Sequence, residues 1–127
     1  MKIHGWAYAR ERAKVTRLYH WVDSKSPSGK DLGVVYAVKF PIIGKFSIIK
    51  IGATGMPEQR LQNFGNRCSI YCVSPLHTNY YENEEILHKH FDRYRIPGRR
   101  NCSQPEYFNM SIPFFLSHLP ELDFKKE

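Results

Sequence analysis

The chain has 127 residues, enough for one domain that buries about two-thirds of its unfolded surface without disulfide or metal staples. It carries 19 Lys+Arg against 12 Asp+Glu, a formal charge of +7, and this surplus favours a polyanionic partner because each neutralised phosphate releases a condensed counterion. No run approaches the about eighteen apolar residues of a membrane span, and the opening MKIHGWAYARER lacks a signal peptide's apolar stretch, so an intracellular, cytoplasmic protein with no membrane partner is expected.

Residues 1–32 read as a basic arm in which Trp6, Tyr8, Tyr19 and Trp21 are interspersed with Arg10, Arg12, Lys14 and Arg17. Such an arm suits contact with a nucleic-acid backbone; an extra strand packed on the domain, or a dimer contact, is the alternative. Ser24–Asp31 (SKSPSGKD) is loop chemistry and marks a boundary, so a compact domain is expected over 33–127. Val34–Phe40 is β-branched and aromatic, a strand. Pro41–Gly44 breaks it, and Lys45–Gly52 is its natural antiparallel partner. Pro57 suits the first turn of a helix running to Phe64.

Cys68–Pro75 reads as a third strand. Its two cysteines and Cys102 make an odd number with no disulfide framework, and buried free thiols are favoured over a zinc site with His77. A second helix begins near Asn79, capped by Asn79 or Thr78, and runs to about Tyr94 before Pro97-Gly98 ends it. Glu106–Met110 is a short strand and Pro113–Leu119 a closing helix. A second basic cluster holds Lys89, Arg93, Arg95, Arg99 and Arg100. The order predicts an α+β fold: a small, mainly antiparallel three-stranded sheet flanked by helices. A glycine-rich nucleotide loop and a Gly-x-Ser-x-Gly nucleophile elbow are both missing from the sequence.

Two polar positions fall where apolar residues are expected. On the second helix Leu87, Phe91 and Tyr94 form an apolar stripe; one turn back lies Glu84, with His88 on the same face. A carboxylate there is costly unless paired or ligated, so Glu84 is either a salt-bridged residue at the stripe's edge or a metal-binding carboxylate with His88 beside it. In FSIIKIG the alternation sets Lys50 on the face of Ile48 and Gly52, either outward to solvent or toward a site. By the same reasoning Tyr36 could be plain core, and Arg60 plain surface.

Taken together these residues resemble the GIY-YIG endonucleases. Val34-Val35-Tyr36 stands where the family has its first motif, and Lys50-Ile51-Gly52 where it has the second. Arg60 follows Gly52 by eight positions, and Glu84-x-x-Leu87-His88, Phe91 and Glu106-Tyr107-Phe108 match the short phage-type branch. The resemblance covers roughly Gly33 to Met110. It departs from the family in Val34 and Val35 for Gly and Ile, in Lys50 for Tyr, and in having only Asn109 to stand for a closing Asn.

The resemblance implies hydrolysis of a nucleic-acid phosphodiester by one metal ion, with DNA the expected substrate although the sequence itself does not distinguish DNA from RNA. Tyr36 would act as general base, its ordinary pKa of about 10 lowered by cations. Lys50 and Arg60 are the cations at hand, and Arg60 would also clamp the scissile phosphate. Glu84 would hold Mg2+ or Mn2+, and His88 would orient Glu84 or touch the phosphate. Arg10, Arg12, Lys14, Arg17, Arg93, Arg95, Arg99 and Arg100 are expected to contact nucleic acid. One centre would nick one strand per event, so a double-strand break needs a homodimer or two visits. Small relatives of this type make a phage gene in a bacterial host plausible. Two other functions compete: a non-cutting nucleic-acid-binding module of the same fold, and a protein-interaction or inhibitor protein.

Overall fold

The structure is a computed structural model, and the residues described are 2–3, 5–9, 31–41, 47–64, 68–96 and 107–125. Its elements are strands β1 (Lys2–Ile3), β2 (Trp6–Ala9), β3 (Val34–Lys39) and β4 (Ile48–Thr54), helix α1 (Pro57–Gln62), strand β5 (Ile70–Val73) and helix α2 (Tyr80–His90). A 3-10 turn (Asp92–Tyr94), strand β6 (Tyr107–Asn109) and helix α3 (Ile112–Ser117) complete it.

From Gly33 onward the elements follow in the expected order. The sheet itself is larger than expected: six strands, ordered β1-β2-β5-β3-β4-β6, with every named pair antiparallel. The expected three-stranded sheet is corrected on both sides. At one edge, Lys2–Ile3 and Trp6–Ala9 enter the sheet, with Ala7, Tyr8 and Ala9 in register with Val73, Cys72 and Tyr71. At the other, Tyr107–Asn109 pairs with Ile48–Lys50. Trp6 explains the first addition. It is buried and edge-on to Phe115, so burial of a large ring offsets much of the entropy lost in ordering the short strand.

Strand alternation divides the interior into two cores. Val35, Ala37, Ile49, Ile51, Cys72 and Phe108 point to one face, where α2 and α3 cover them with Leu87, Phe91, Ile112, Phe115 and Leu116. Val34, Tyr36, Val38, Tyr71 and Val73 point to the other, where α1 and the residues after it supply Leu61, Phe64 and Cys68. Apolar runs such as VVYAV make sense here because β3 is central and covered on both faces. Cys68 and Cys72 are free and buried in different cores. No described helix is long and apolar enough to cross a membrane.

The buried stripe of α2 is Tyr80, Asn83 and Leu87, continued by Phe91 at its C-cap. The polar residue on the stripe is therefore Asn83, 1% exposed, while Glu84 is half-buried at its margin. The helix ends at His90, and Tyr94 lies in the 3-10 turn, edge-on to Phe114. Asn83 donates to the Asp123 carbonyl (3.1 Å), and so does Asn79 (2.9 Å), whose Oδ1 accepts from Lys125 N (3.0 Å). Asn79 holds the N-cap position, but its side chain is used to fasten the C-terminal segment rather than to cap the helix.

Candidate functional site

Register brings Tyr36 and Gly52 face to face across β3 and β4. The hydroxyl end of the Tyr36 ring lies against Gly52: a Cβ built at Gly52 would overlap the Tyr36 hydroxyl oxygen and Cζ. Gly52 is ordinary strand backbone, so the need for glycine here is the close approach of the tyrosine, not a left-handed turn. Tyr36 is 1% exposed, and Phe64 meets its ring edge-on at 5.7 Å.

Lys50 lies two residues before Gly52 on the same face. Its Nζ sits 5.5 Å from the Phe64 ring centroid and 6.0 Å from that of Tyr107, the residue opposite it in register on β6. Phe40 packs edge-on against both rings, at 5.9 and 5.6 Å. The ammonium is thus held among aromatic faces by cation–π attraction rather than extended into water.

Arg60 is exposed on α1, which covers this same face. With Thr54, Met56, Gln59 and Asn63 it lines a shallow hollow of about 140 Å3. Thr54 shares the strand face of Lys50 and Gly52, and its Oγ1 accepts from Met56 N at 2.9 Å, fixing the turn into α1. Tyr36, Lys50 and Arg60 therefore belong to one side of the sheet.

Glu84 and His88 come from the helix on the other side. β6 pairs with Ile48–Lys50, and beyond Lys50 the outer edge of β4 has no strand partner among the described residues. His88 fills part of that edge: its Nε2 donates to the Ile51 carbonyl at 2.9 Å, and its ring lies 5.4 Å from Phe108. Because a carbonyl only accepts, the proton is on Nε2. At the other end of α2, the Tyr80 ring is where Cβ atoms on Gly33 and Gly55 would fall. These two anchors lie one helical turn before and one after Glu84. Tyr36, Lys50 and Glu84 each make a further interaction, so none stands without a partner.

A divalent cation was expected at Glu84. Among the described residues no group of three His, Cys, Asp or Glu could enclose a metal ion. That donor set does not fit zinc or a calcium cage. One half-buried carboxylate does fit Mg2+, which keeps several waters and takes one or two protein oxygens plus substrate phosphate.

Of the other expected contacts, Arg93 is exposed, 5.7 Å from the Tyr94 ring. Arg95 is tied into the fold: it donates to Asp92 Oδ1 and to the His88 carbonyl, both at 3.1 Å, and lies over Phe108 at 5.3 Å. Asn109 Oδ1 accepts from Ser47 N at 3.1 Å. Arg10, Arg12, Lys14, Arg17, Arg99, Arg100, Glu106, Cys102 and the Pro97-Gly98 break lie outside the described residues.

With the two hairpin strands, the arginine helix and the Glu84 helix placed around one stretch of β4, the comparison with known families is decisive. A family model described as the T5orf172 domain matches residues 33–119. The chain belongs to the T5orf172 domain family. This is a phage-associated domain related to GIY-YIG and HNH-like nucleases. No curated protein and no solved structure matches the chain. The T5orf172 match begins at the residue before β3 and runs past the end of α3, so β1 and β2 are additions outside it.

Sequence reasoning missed three parts of this site. Phe40 and Phe64 entered only as the ends of a strand and a helix, because it is the fold that brings them beside Lys50. Asn83 was missed because the stripe was extended back from Leu87 by three residues rather than four. The His88–Ile51 clamp had no sequence signal, since it joins groups 37 positions apart.

Proposed function

We propose that this T5orf172 domain is a metal-dependent endonuclease that hydrolyses a phosphodiester of nucleic acid, DNA in the first instance. The observation that carries the reading is the seating of the Tyr36 hydroxyl on Gly52, with Lys50 and Arg60 on that side of the sheet; Glu84 lies on α2 midway between its two anchors. Deprotonated Tyr36 takes a proton from water, and the water oxygen forms the new bond to phosphorus. The bond to the leaving oxygen breaks, and that oxygen takes a proton from solvent. A tyrosine with the ordinary pKa of about 10 is a poor base at neutral pH, so this role requires a cation beside the hydroxyl, and Lys50 on the same strand face is the candidate. Arg60 offers a planar fork for two phosphate oxygens. Glu84 would hold one Mg2+ or Mn2+, which supplies Lewis acidity to the leaving group. His88 holds α2, and with it Glu84, against β4. The net charge of +7 supplies affinity for the backbone.

Supercoiled plasmid incubated with wild type and Glu84→Ala, each with Mg2+ and with EDTA, tests this. Metal-dependent nicking by wild type alone is expected. No nicking by wild type in Mg2+ or Mn2+ would refute it.

The near-complete burial of Tyr36 favours a second reading, a nucleic-acid-binding module that does not cut. Salt-sensitive binding indifferent to Mg2+, without nicking, is its signature.

A further inference from the structure

Tyr107 is used by neither core. It is 38% exposed, although it lies beside Lys50 in the middle of an aromatic group. Its neighbour Phe108 is fully buried on the opposite face, so the pleat fixes Tyr107 on the Tyr36 side of the sheet. Phe40 braces it edge-on at 5.6 Å. At the other end of the same face Met56 is exposed beside Arg60. From Lys50 to Thr54 along β4 is four residues, about 13 Å at the usual strand rise.

We propose that Tyr107 is a stacking platform for an unpaired nucleobase flanking the phosphate bound at the Tyr36 face. The inference rests on the nuclease reading's placement of the substrate but not on cutting. The occupant follows from charge and shape together. A braced, part-exposed ring with an ammonium beside it and a guanidinium farther along the same face matches a strand that alternates aromatic faces with anionic phosphates. In a duplex each base face is covered by its neighbours, so only an unpaired, end or extruded base presents one to Tyr107. The site therefore prefers single-stranded or locally opened substrate. Lys50 has two functions here: it is positioned by the Phe64 and Tyr107 rings, and it neutralises the phosphate next to the stacked base.

The test is equilibrium binding in EDTA, so it is independent of cleavage. The probes are a fluorescent oligothymidylate of about a dozen nucleotides and an all-abasic strand of the same length and charge, each measured with wild type, Tyr107→Leu and Tyr107→Trp. Leu keeps the apolar bulk that packs on Phe40, and thermal melts confirm that each variant folds. Wild type is expected to bind the thymidylate at least about five-fold more tightly than the abasic strand, the lower end of what one base–aromatic stack provides. Tyr107→Leu loses that preference, Tyr107→Trp keeps it, and the salt dependence is the same in all three because no charge has changed. A folded Tyr107→Leu protein that retains the full preference overturns the proposal. Unchanged oligonucleotide affinity with weakened self-association in sedimentation also overturns it, and assigns the face to a second copy of the chain.

Discussion

Replacing Gly52 with alanine probes the contact on which the site is built. The added Cβ would overlap the hydroxyl oxygen and Cζ of Tyr36, a ring held by Phe64 and 1% exposed, so it cannot swing aside into solvent. Overpacking of this kind costs about 1–3 kcal/mol. Alanine also restricts the unfolded chain, which offsets about 0.4–1 kcal/mol. The net expectation is destabilisation by about 1–2 kcal/mol, a fall in Tm of roughly 3–10 °C for a chain of this size. Urea denaturation of wild type, Gly52→Ala, Tyr36→Phe and the double variant closes a thermodynamic cycle. Because Tyr36→Phe removes the overlapping oxygen, Gly52→Ala is expected to cost less in that background, with coupling above about 0.5 kcal/mol. Strict additivity, or a Gly52→Ala protein as stable as wild type, would refute the contact.

His88→Ala removes the donor to the Ile51 carbonyl, on a residue with no exposure, and is expected to cost about 1–3 kcal/mol in chemical denaturation; His88→Gln recovers part of it. His77 is fully buried, donates from Nδ1 to the Pro75 carbonyl at 2.7 Å, and its Nε2 has no hydrogen bond among the described residues; burial lowers its pKa below the ordinary 6.5. The unfolded chain then binds the extra proton first, so stability falls as pH drops below about 6.5, and melts from pH 7.5 to 5 are expected to flatten in His77→Asn. Burial pushes the Cys72 thiol up to about 12, and Cys68 is buried as well. In a Cys102→Ser background a thiol reagent is therefore expected to modify neither cysteine in the native protein and both after unfolding.

Strong local signals made the later elements readable in the sequence. VVYAVK is rich in β-branched and aromatic residues, Pro57 opens its helix at the first position, and Leu87 and Phe91 repeat at helical spacing. What failed were features that depend on distant partners. For the start of the arm the sequence left a nucleic-acid contact and an extra strand both open, and Trp6 decides for the strand by completing the α3 face, with the Phe115 and Phe124 rings within 6.4 Å. The phase of α2 could not be told to one residue, because 83 and 84 are both polar and either continues a 3.6-residue repeat back from Leu87. At the site, Tyr36, Lys50 and Arg60 were legible as a set and do fall on one side of the sheet. The aromatic packing around Lys50 was not, since it arises from strand register rather than from sequence neighbours.

The central claim is that the Tyr36 hydroxyl performs chemistry at the Gly52 edge rather than merely filling core. Single-turnover cleavage of a labelled oligonucleotide in Mg2+ by wild type and Tyr36→Phe, with binding measured in EDTA, tests it most directly. A Tyr36→Phe protein that binds as wild type does but cuts at least about a hundred-fold more slowly, the scale of a lost general base, is the predicted result. A variant that cuts at the wild-type rate would contradict it.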